Sequence, residues 1–487
     1  MGSTLPPSVL GATSNLKLAM RNSRIWLPQR SVAVNQAMAS PPTVTNNTTA
    51  RLTGATWAAG SGTSSFSTSA PNGLFTYSKG AIRAPGGGFG STVSFGNVTT
   101  SGTGPTYGAT SGGVSFYHTG QNLELVIAQN AGMFFRVKVD GQYVSLTPQA
   151  SAGDSSIHYY LHAFASRARR RIDIIGYNFQ FVGVNTDAND TITPAELRGP
   201  RCIFLGDSFP AGSGASAATV NNFVNAFADA MGWDDVWASG VGGTGYLNPG
   251  TANVTFAQRV QHDVIQYQPE IVWVAGGLND YNYNSSTPAQ LQAAATSLYQ
   301  TILAGVPGVL LIVSPNINGG VGKMSANVIS MIAALKAAAL SVGALWIDPT
   351  NLPFGPGQGG QSGTFVFQKN AGQTNPVFSF IPSNHGTYLI GSGATAEMIQ
   401  IKTFSQTGAG QYTCTMDGSL QYAHNAGETV VQVGGSYLTG SGRVGATTGY
   451  GNSDLNVYTD GTHPTDAGHM DLGQTLSSLF MNVLGPN

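Results

Sequence analysis

"RCIFLGDSFPAGSG", residues 201–214, decides how this chain is read. Three apolar residues, Ile203 to Leu205, run straight into Gly206-Asp207-Ser208. Small residues then lead towards a helix. The stretch is either a plain turn or a reactive hydroxyl set on a strand-to-helix corner. Its neighbours choose between the two.

Downstream, strands and helices alternate. Residues 202–206 read as an apolar strand and 216–231 as a helix. "DVWASGVGGTGY" (235–246) is a strand entering a glycine-rich loop, "TFAQRVQHDVIQYQP" a helix, and "EIVWVAGGLND" (270–280) a buried strand and loop. In "TPAQLQAAATSLYQTILAG" (287–305), Thr287 can cap a helix, Pro288 fits its first turn and Gly305 can close it. "GVLLIVSP" (308–315), a helix over 322–342 and "ALWID" (344–348) continue the pattern. Near-continuous apolar strands separated by helices describe an α/β unit, with a parallel sheet covered on both faces. Ligands of such sheets bind beyond the carboxyl ends of the strands.

The flanks differ. Residues 1–60 are uneven, with Pro-Pro pairs and "NNTT", and read as an arm or irregular segment in which "RIWLPQRSVAV" (25–35) can pack on another part or subunit. Residues 61–195 carry short strands cut by turns, and Asp140-Gly141 suits a tight hairpin. The expectation there is a β-sandwich of jelly-roll type. "SRARRR" (166–171) reads as a protective edge strand. Residues 349–457 are glycine-rich with short β-like pieces and read as a β-rich insertion. Helical signal returns only after "DGTHPTDAGH", and the last helix docks on the sheet. The α/β unit therefore spans 201–348 and 458–482.

Composition narrows the function. Of 487 residues only 9% are charged, and the formal net charge is -1. Steering of nucleic acid is not implied, and no apolar run of about 18 residues suggests a membrane span. The uncharged polar surface fits an extracellular or virion-associated protein, although no signal peptide is evident. Homo-oligomerisation is compatible with the irregular first segment. Cys202 and Cys414 read as small buried hydrophobes, with a disulfide between them unsupported.

Four segments carry polar residues to successive strand ends: Ser208, Gly243, Asn279, and the pair Asp460 and His463. A serine hydroxyl is a weak nucleophile until a base takes its proton. His463 can be that base. Asp460, three residues earlier, can accept from the other ring nitrogen and fix its orientation. The backbone N–H groups of Gly243 and Ser208 and the Asn279 amide can stabilise a developing oxyanion. Each signal alone is weak. Gly-Asp-Ser turns are common, and "VGGTG" lacks the Lys-Ser/Thr ending of a nucleotide loop. Asn279-Asp280 can be a turn, and His463-Pro464 can simply start a helix. Together and in order they are much stronger. Asp280 reads as a brace for its loop, Asp207 equally as a brace for the nucleophile corner or a helix-start acid, and Asp466 and His469 as residues of the last helix. The remaining histidines show no metal spacing.

Together, "FLGDS" (204–208), "GVGGTG" (240–245), "GLND" (277–280) and "DGTHP" (460–464) resemble the sequence blocks of the SGNH hydrolases, the GDSL-like esterases and lipases. The resemblance implies a flavodoxin-like three-layer α/β core, Ser208 as nucleophile, Asp460 and His463 as its partners, and Gly243 and Asn279 as oxyanion donors. It implies no cofactor and no metal. The β region before it, with "FFRVKVDGQYV" and "RRIDIIGYNFQFVGV", is similar to the accessory domain of some carbohydrate esterases. Three departures stand out. Phe209 replaces a common leucine, which should shape the pocket wall. Ala238-Ser239 replace a common asparagine before the first glycine, which should loosen the loop. The long insertion separates the Asp-His segment from the last strand. The implied substrate is an acetylated polysaccharide or another small ester. A broad short-chain carboxylesterase, or a non-catalytic glycan-binding or structural virion protein, are the alternatives.

Overall fold

The computed structural model describes residues 36–59, 73–83, 93–95, 111–178, 180–281, 283–316, 326–350, 352–353, 362–382, 387–416, 419–435 and 453–484. The packing expected of residues 25–35 lies outside them.

Two long antiparallel strands, Ser111–Ala128 and Ile157–Tyr177, are the spine of a twelve-stranded sheet. Its core is Phe75, Phe116, Leu125, Phe135, Ile174 and Phe181 with their neighbours. Asp140 and Gly141 both have positive φ, 50° and 89°, and join Phe134–Val139 to Gln142–Tyr143 as the sequence suggested. One expectation is corrected. Residues before 60 are not wholly irregular, because Thr43–Asn47 and Ala55–Ala58 pair with Ile157–Tyr177 and Gln180–Thr186. "SRARRR" lies where its strand has an open side, as expected of an edge. Ser166 and Arg167 fall in the register shift between Ala163 and Ala168, and Ala168–Arg171 pair in the ladder with Ser111–Ala128 alone. Its arginines are engaged locally: Arg169 lies 3.5 Å over the Tyr117 ring, and Arg170 donates to the Gly120 carbonyl.

The second sheet is parallel. Its strands are β1 (Cys202–Gly206), β2 (Val236–Gly240), β3 (Ile271–Gly276), β4 (Leu310–Pro315) and β5 (Leu345–Trp346), in the order β2-β1-β3-β4-β5. Helices α1 (Phe223–Met231), α2 (Phe256–Asp263), α3 (Pro288–Gly305), α4 (Ala326–Ser341) and α5 (Asp466–Leu484) accompany them. Alternate strand residues face opposite sides. Ile203, Leu205, Val272 and Val274 pack with residues of α2, α3 and α4. Cys202, Phe204, Trp273 and Ile312 pack with residues of α1 and α5. Both faces are thus buried, which is why the strands read as unbroken apolar runs.

Local chemistry shifts two boundaries. The helix expected over 216–231 is a single turn, Ala218–Val220, followed by α1, because the Asn222 side chain caps Asn225 N–H and starts a new helix. The Thr287 capping box starts α3 and Gly305 is its last residue, as expected, with Val306 as the C-cap. Gly305 packs flat on Ile265, which a side chain would meet at 2.8 Å. A one-turn helix, Ser453–Asn456, also precedes the Asp-His segment.

Charged and polar pairs hold the two sheets together. Asp234 accepts from Arg171 and Arg198, both at 2.8 Å. Asp229 of α1 accepts from Lys138 and from the Tyr143 hydroxyl. Within 349–457 the described strands form a seven-stranded antiparallel sheet around Phe378, Tyr388, Ile390 and Ile401. Both cysteines are free and buried.

Candidate active site

Strand order reverses at β1, since β2 lies on one side of it and β3 on the other. The crevice beyond β1 is therefore where a ligand of this sheet would sit. Ser208 occupies that point. It opens a one-turn helix, Ser208–Ala211, capped by the Asp207 side chain, which accepts from Phe209 N–H at 3.0 Å.

The Ser208 Oγ lies 2.8 Å from His463 Nε2, and His463 Nδ1 lies 2.6 Å from Asp460 Oδ2. Asp460 Oδ1 also accepts from the backbone N–H groups of Thr462 and His463. Burial pushes the Asp460 carboxyl up, but these hydrogen bonds outweigh it and hold the carboxyl below its usual range. The loop is tied at its base, where Tyr458 N–H donates to the His463 carbonyl at 2.7 Å. It also presses on Gly214 (φ 86°), where a Cβ would meet the His463 Cβ at 2.9 Å. The Phe209 ring stands 5.6 Å from the His463 ring and is itself buried in the core, so it backs the imidazole.

The glycine loop passes over the nucleophile. A Cβ on Gly242 would stand 3.8 Å from the Ser208 Cβ, and Gly243 has φ 76°, which glycine adopts freely. Among the described residues, neither Gly243 N–H nor Ser208 N–H has an acceptor. Asn279 reaches the same place. One amide contact goes to the Thr244 carbonyl at 2.9 Å, and the other is a long 3.5 Å contact to Asp207.

The loop is not loose, despite lacking the usual asparagine. Asp280, buried, accepts from Tyr246, Leu247 and Asn248 N–H at 2.8–2.9 Å, so it braces the glycine loop. Burial raises its pKa, against the pull of those three donors. Ser239 Oγ donates to Asp263 at 2.8 Å, and Arg259 donates to the carbonyls of Ser239 and Gly206 and to Asp263. This fully buried pair ties the root of the glycine loop to the root of the nucleophile turn. Arg259→Met is expected to cost about 3–5 kcal/mol in urea unfolding, because it leaves Asp263 buried and unpaired. Replacing both residues by apolar ones should recover part of that loss.

Asn316 was not foreseen. It follows β4 directly and donates to Asp207 Oδ2 at 2.5 Å. Its signal was its place at a strand end, the rule that found the others. Burial raises the Asp207 pKa to about 7, partly offset by Phe209 N–H and Asn316. Arg259 and Asp263 had no distinct signal, since an i,i+4 pair usually marks a solvated helix face. His469 is buried and satisfied by Phe223 N–H and the Ser213 carbonyl, so it is no second base. Asp466 accepts from Ser216 and Asn221. Among the described residues, no group of three or more His, Cys, Asp or Glu could hold a metal, and no helix is long and apolar enough to cross a membrane.

Residues 204–366 match the GDSL-like Lipase/Acylhydrolase family. The match includes Ser208, Gly243 and Asn279 and stops before Asp460 and His463. This part of the chain has an SGNH/GDSL-like hydrolase fold. None of the curated proteins matches the chain. Among solved structures, a family two carbohydrate esterase from Clostridium thermocellum in complex with cellohexaose is 12% identical, with TM-score 0.47, covering 79% of this chain and 96% of its own. A salicylyl-acyltransferase from a tetracycline biosynthetic pathway is 13% identical, with TM-score 0.43, covering 56% and 82%. An acetyl xylan esterase from the rumen bacterium Butyrivibrio proteoclasticus is 14% identical, with TM-score 0.37, covering 50% and 83%.

Proposed function

We propose that this chain is a serine esterase that removes O-acetyl groups from a carbohydrate through an acyl-enzyme. The observation that carries the reading is His463 held between Ser208 Oγ at 2.8 Å and Asp460 at 2.6 Å. Ser208 Oγ attacks the ester carbonyl while His463 takes its proton. The oxyanion forms beside Ser208 N–H, Gly243 N–H and the Asn279 amide. His463 then gives the proton to the leaving alcohol oxygen as the C–O bond breaks. Water, deprotonated by His463, attacks the acyl-enzyme, and the proton returns to Ser208 as acetate leaves.

One feature supports a small acyl group: the glycine loop runs close over Ser208. The low charge of the chain suits a neutral, hydroxyl-rich partner outside the cell or on a virion. In the same reading the core is flavodoxin-like, residues 61–195 are a jelly-roll-like accessory domain, and 349–457 is an insertion into the catalytic domain. Homo-oligomerisation belongs to this reading too.

The test is a p-nitrophenyl ester series together with acetate release from acetylated polysaccharides. Acetyl is expected to outrun butyryl by about tenfold or more, because lengthening the acyl group into a crowded site costs 1–3 kcal/mol. Equal rates on long and short acyl groups would make the chain a broad carboxylesterase instead.

A further inference from the structure

We infer that a groove starting at the His463 loop and ending on the N-terminal sheet binds the carbohydrate chain of a polymeric ester, with Tyr458 under the sugar nearest the cleaved bond. This rests on the esterase reading above.

Two cavities make the groove. The first, about 640 Å³, lies between the segment Leu455–Thr459 and the stretch Gly214–Ser216. Tyr458 and Thr459 immediately precede Asp460, and Tyr458 N–H holds the His463 carbonyl. One wall of this cavity is therefore the segment that positions the base. The second cavity, about 290 Å³, runs between α1 and Leu146, Thr147 and Pro148 of the N-terminal sheet. Ser216 and Asp466 line both, and their mutual hydrogen bonds form the saddle between the two cavities. The ion pairs between the sheets fix the two ends relative to each other.

The lining names the ligand. Leu455 is 66% exposed and Tyr458 45%, in a chain whose large apolar side chains are mostly inside. A ring face and a methyl-bearing side chain suit the C–H face of a pyranose. Thr147 and Asp466 are exposed and suit its hydroxyls, Asp466 through the carboxylate lone pairs that Ser216 and Asn221 leave open. The guanidinium of Arg136 in the second cavity is already donating to the Leu146 carbonyl, and Asp466 stands at the junction. That charge pattern favours a neutral glycan over an anionic one. A groove of this reach also gives the N-terminal sheet a part in substrate binding.

The test compares kcat/KM on acetylated xylo-oligosaccharides of one to six sugars, each divided by kcat/KM on p-nitrophenyl acetate. In the wild type this ratio is expected to rise with chain length. Tyr458→Ala should lower it about tenfold for every sugar, and Tyr458→Phe should restore it. Leu146→Asp should abolish only the gain from the longer chains. A flat length profile, or a Tyr458→Ala ratio equal to wild type, would overturn the proposal. Should the wild type cleave neither substrate class, the esterase reading fails separately. Titration calorimetry with unacetylated xylohexaose then decides the groove. Binding weakened by Tyr458→Ala supports it, and no binding, or binding unchanged by Tyr458→Ala, overturns it.

Discussion

Ser208→Ala is expected to lower kcat for an unactivated acetate ester by about six orders of magnitude, and His463→Ala by about as much. The two act as one device. Without His463 the serine keeps its proton, and without Ser208 the base has nothing to deprotonate. The double variant should therefore be no slower than either single one. KM should move little, because neither group is needed to hold the ground-state substrate. The fold should survive, since the hydroxyl contributes one hydrogen bond and His463 remains partly exposed. Steady-state kinetics and a thermal melt on the same preparations check this. A loss of only tenfold in Ser208→Ala, with an unchanged melt, would move the chemistry elsewhere.

The second large effect is Asp460→Asn, with kcat expected to fall about 10⁴-fold. Asp460 Oδ2 accepts from His463 Nδ1, which leaves Nε2 free to accept from Ser208. An asparagine that keeps its oxygen on the Thr462 and His463 N–H groups turns an NH₂ towards Nδ1. The imidazole then adopts the wrong tautomer, and no carboxylate stabilises the imidazolium. Stability follows a different rule. The folded pKa of Asp460 is depressed, so its contribution is complete above the ordinary carboxylate value near ~4 and is lost as pH falls below it. Wild type and Asp460→Asn should therefore converge in melting temperature in acid, while differing in rate at neutral pH.

The parallel sheet and its strand-end residues were legible because both follow from simple patterns. Unbroken apolar strands need covering on both faces, and polar residues just beyond their ends have one place to go. That rule located Ser208, Gly243, Asn279 and the Asp460–His463 segment, which β1, β2, β3 and the start of α5 bring to one crevice. The same rule would have found Asn316. Other features depend on tertiary contacts that one segment does not announce. Ser239 looked like a weakened position until Asp263 and Arg259, twenty and more residues away, were seen to hold it. "SRARRR" was legible as an edge because its charges suit the open side of its strand. The pairing shift at Ala163–Ala168 that opens that side and the Tyr117 ring under Arg169 were not legible. Gly305 ends its helix as its residue type suggested, and its close packing on Ile265 is a second role that only the tertiary contact shows. The strands inside 43–58 are four and five residues long and largely exposed, too short for an alternation to be read from the sequence.

The most direct test of the central claim is the intact mass of the chain after reaction with a p-nitrophenyl phosphonate, followed by peptide mapping. One covalent phosphonyl group per chain, on Ser208, formed in step with loss of esterase activity and absent from Ser208→Ala, is the expected result. A label on another residue, or full activity in the labelled wild type, would contradict an acyl-enzyme on Ser208.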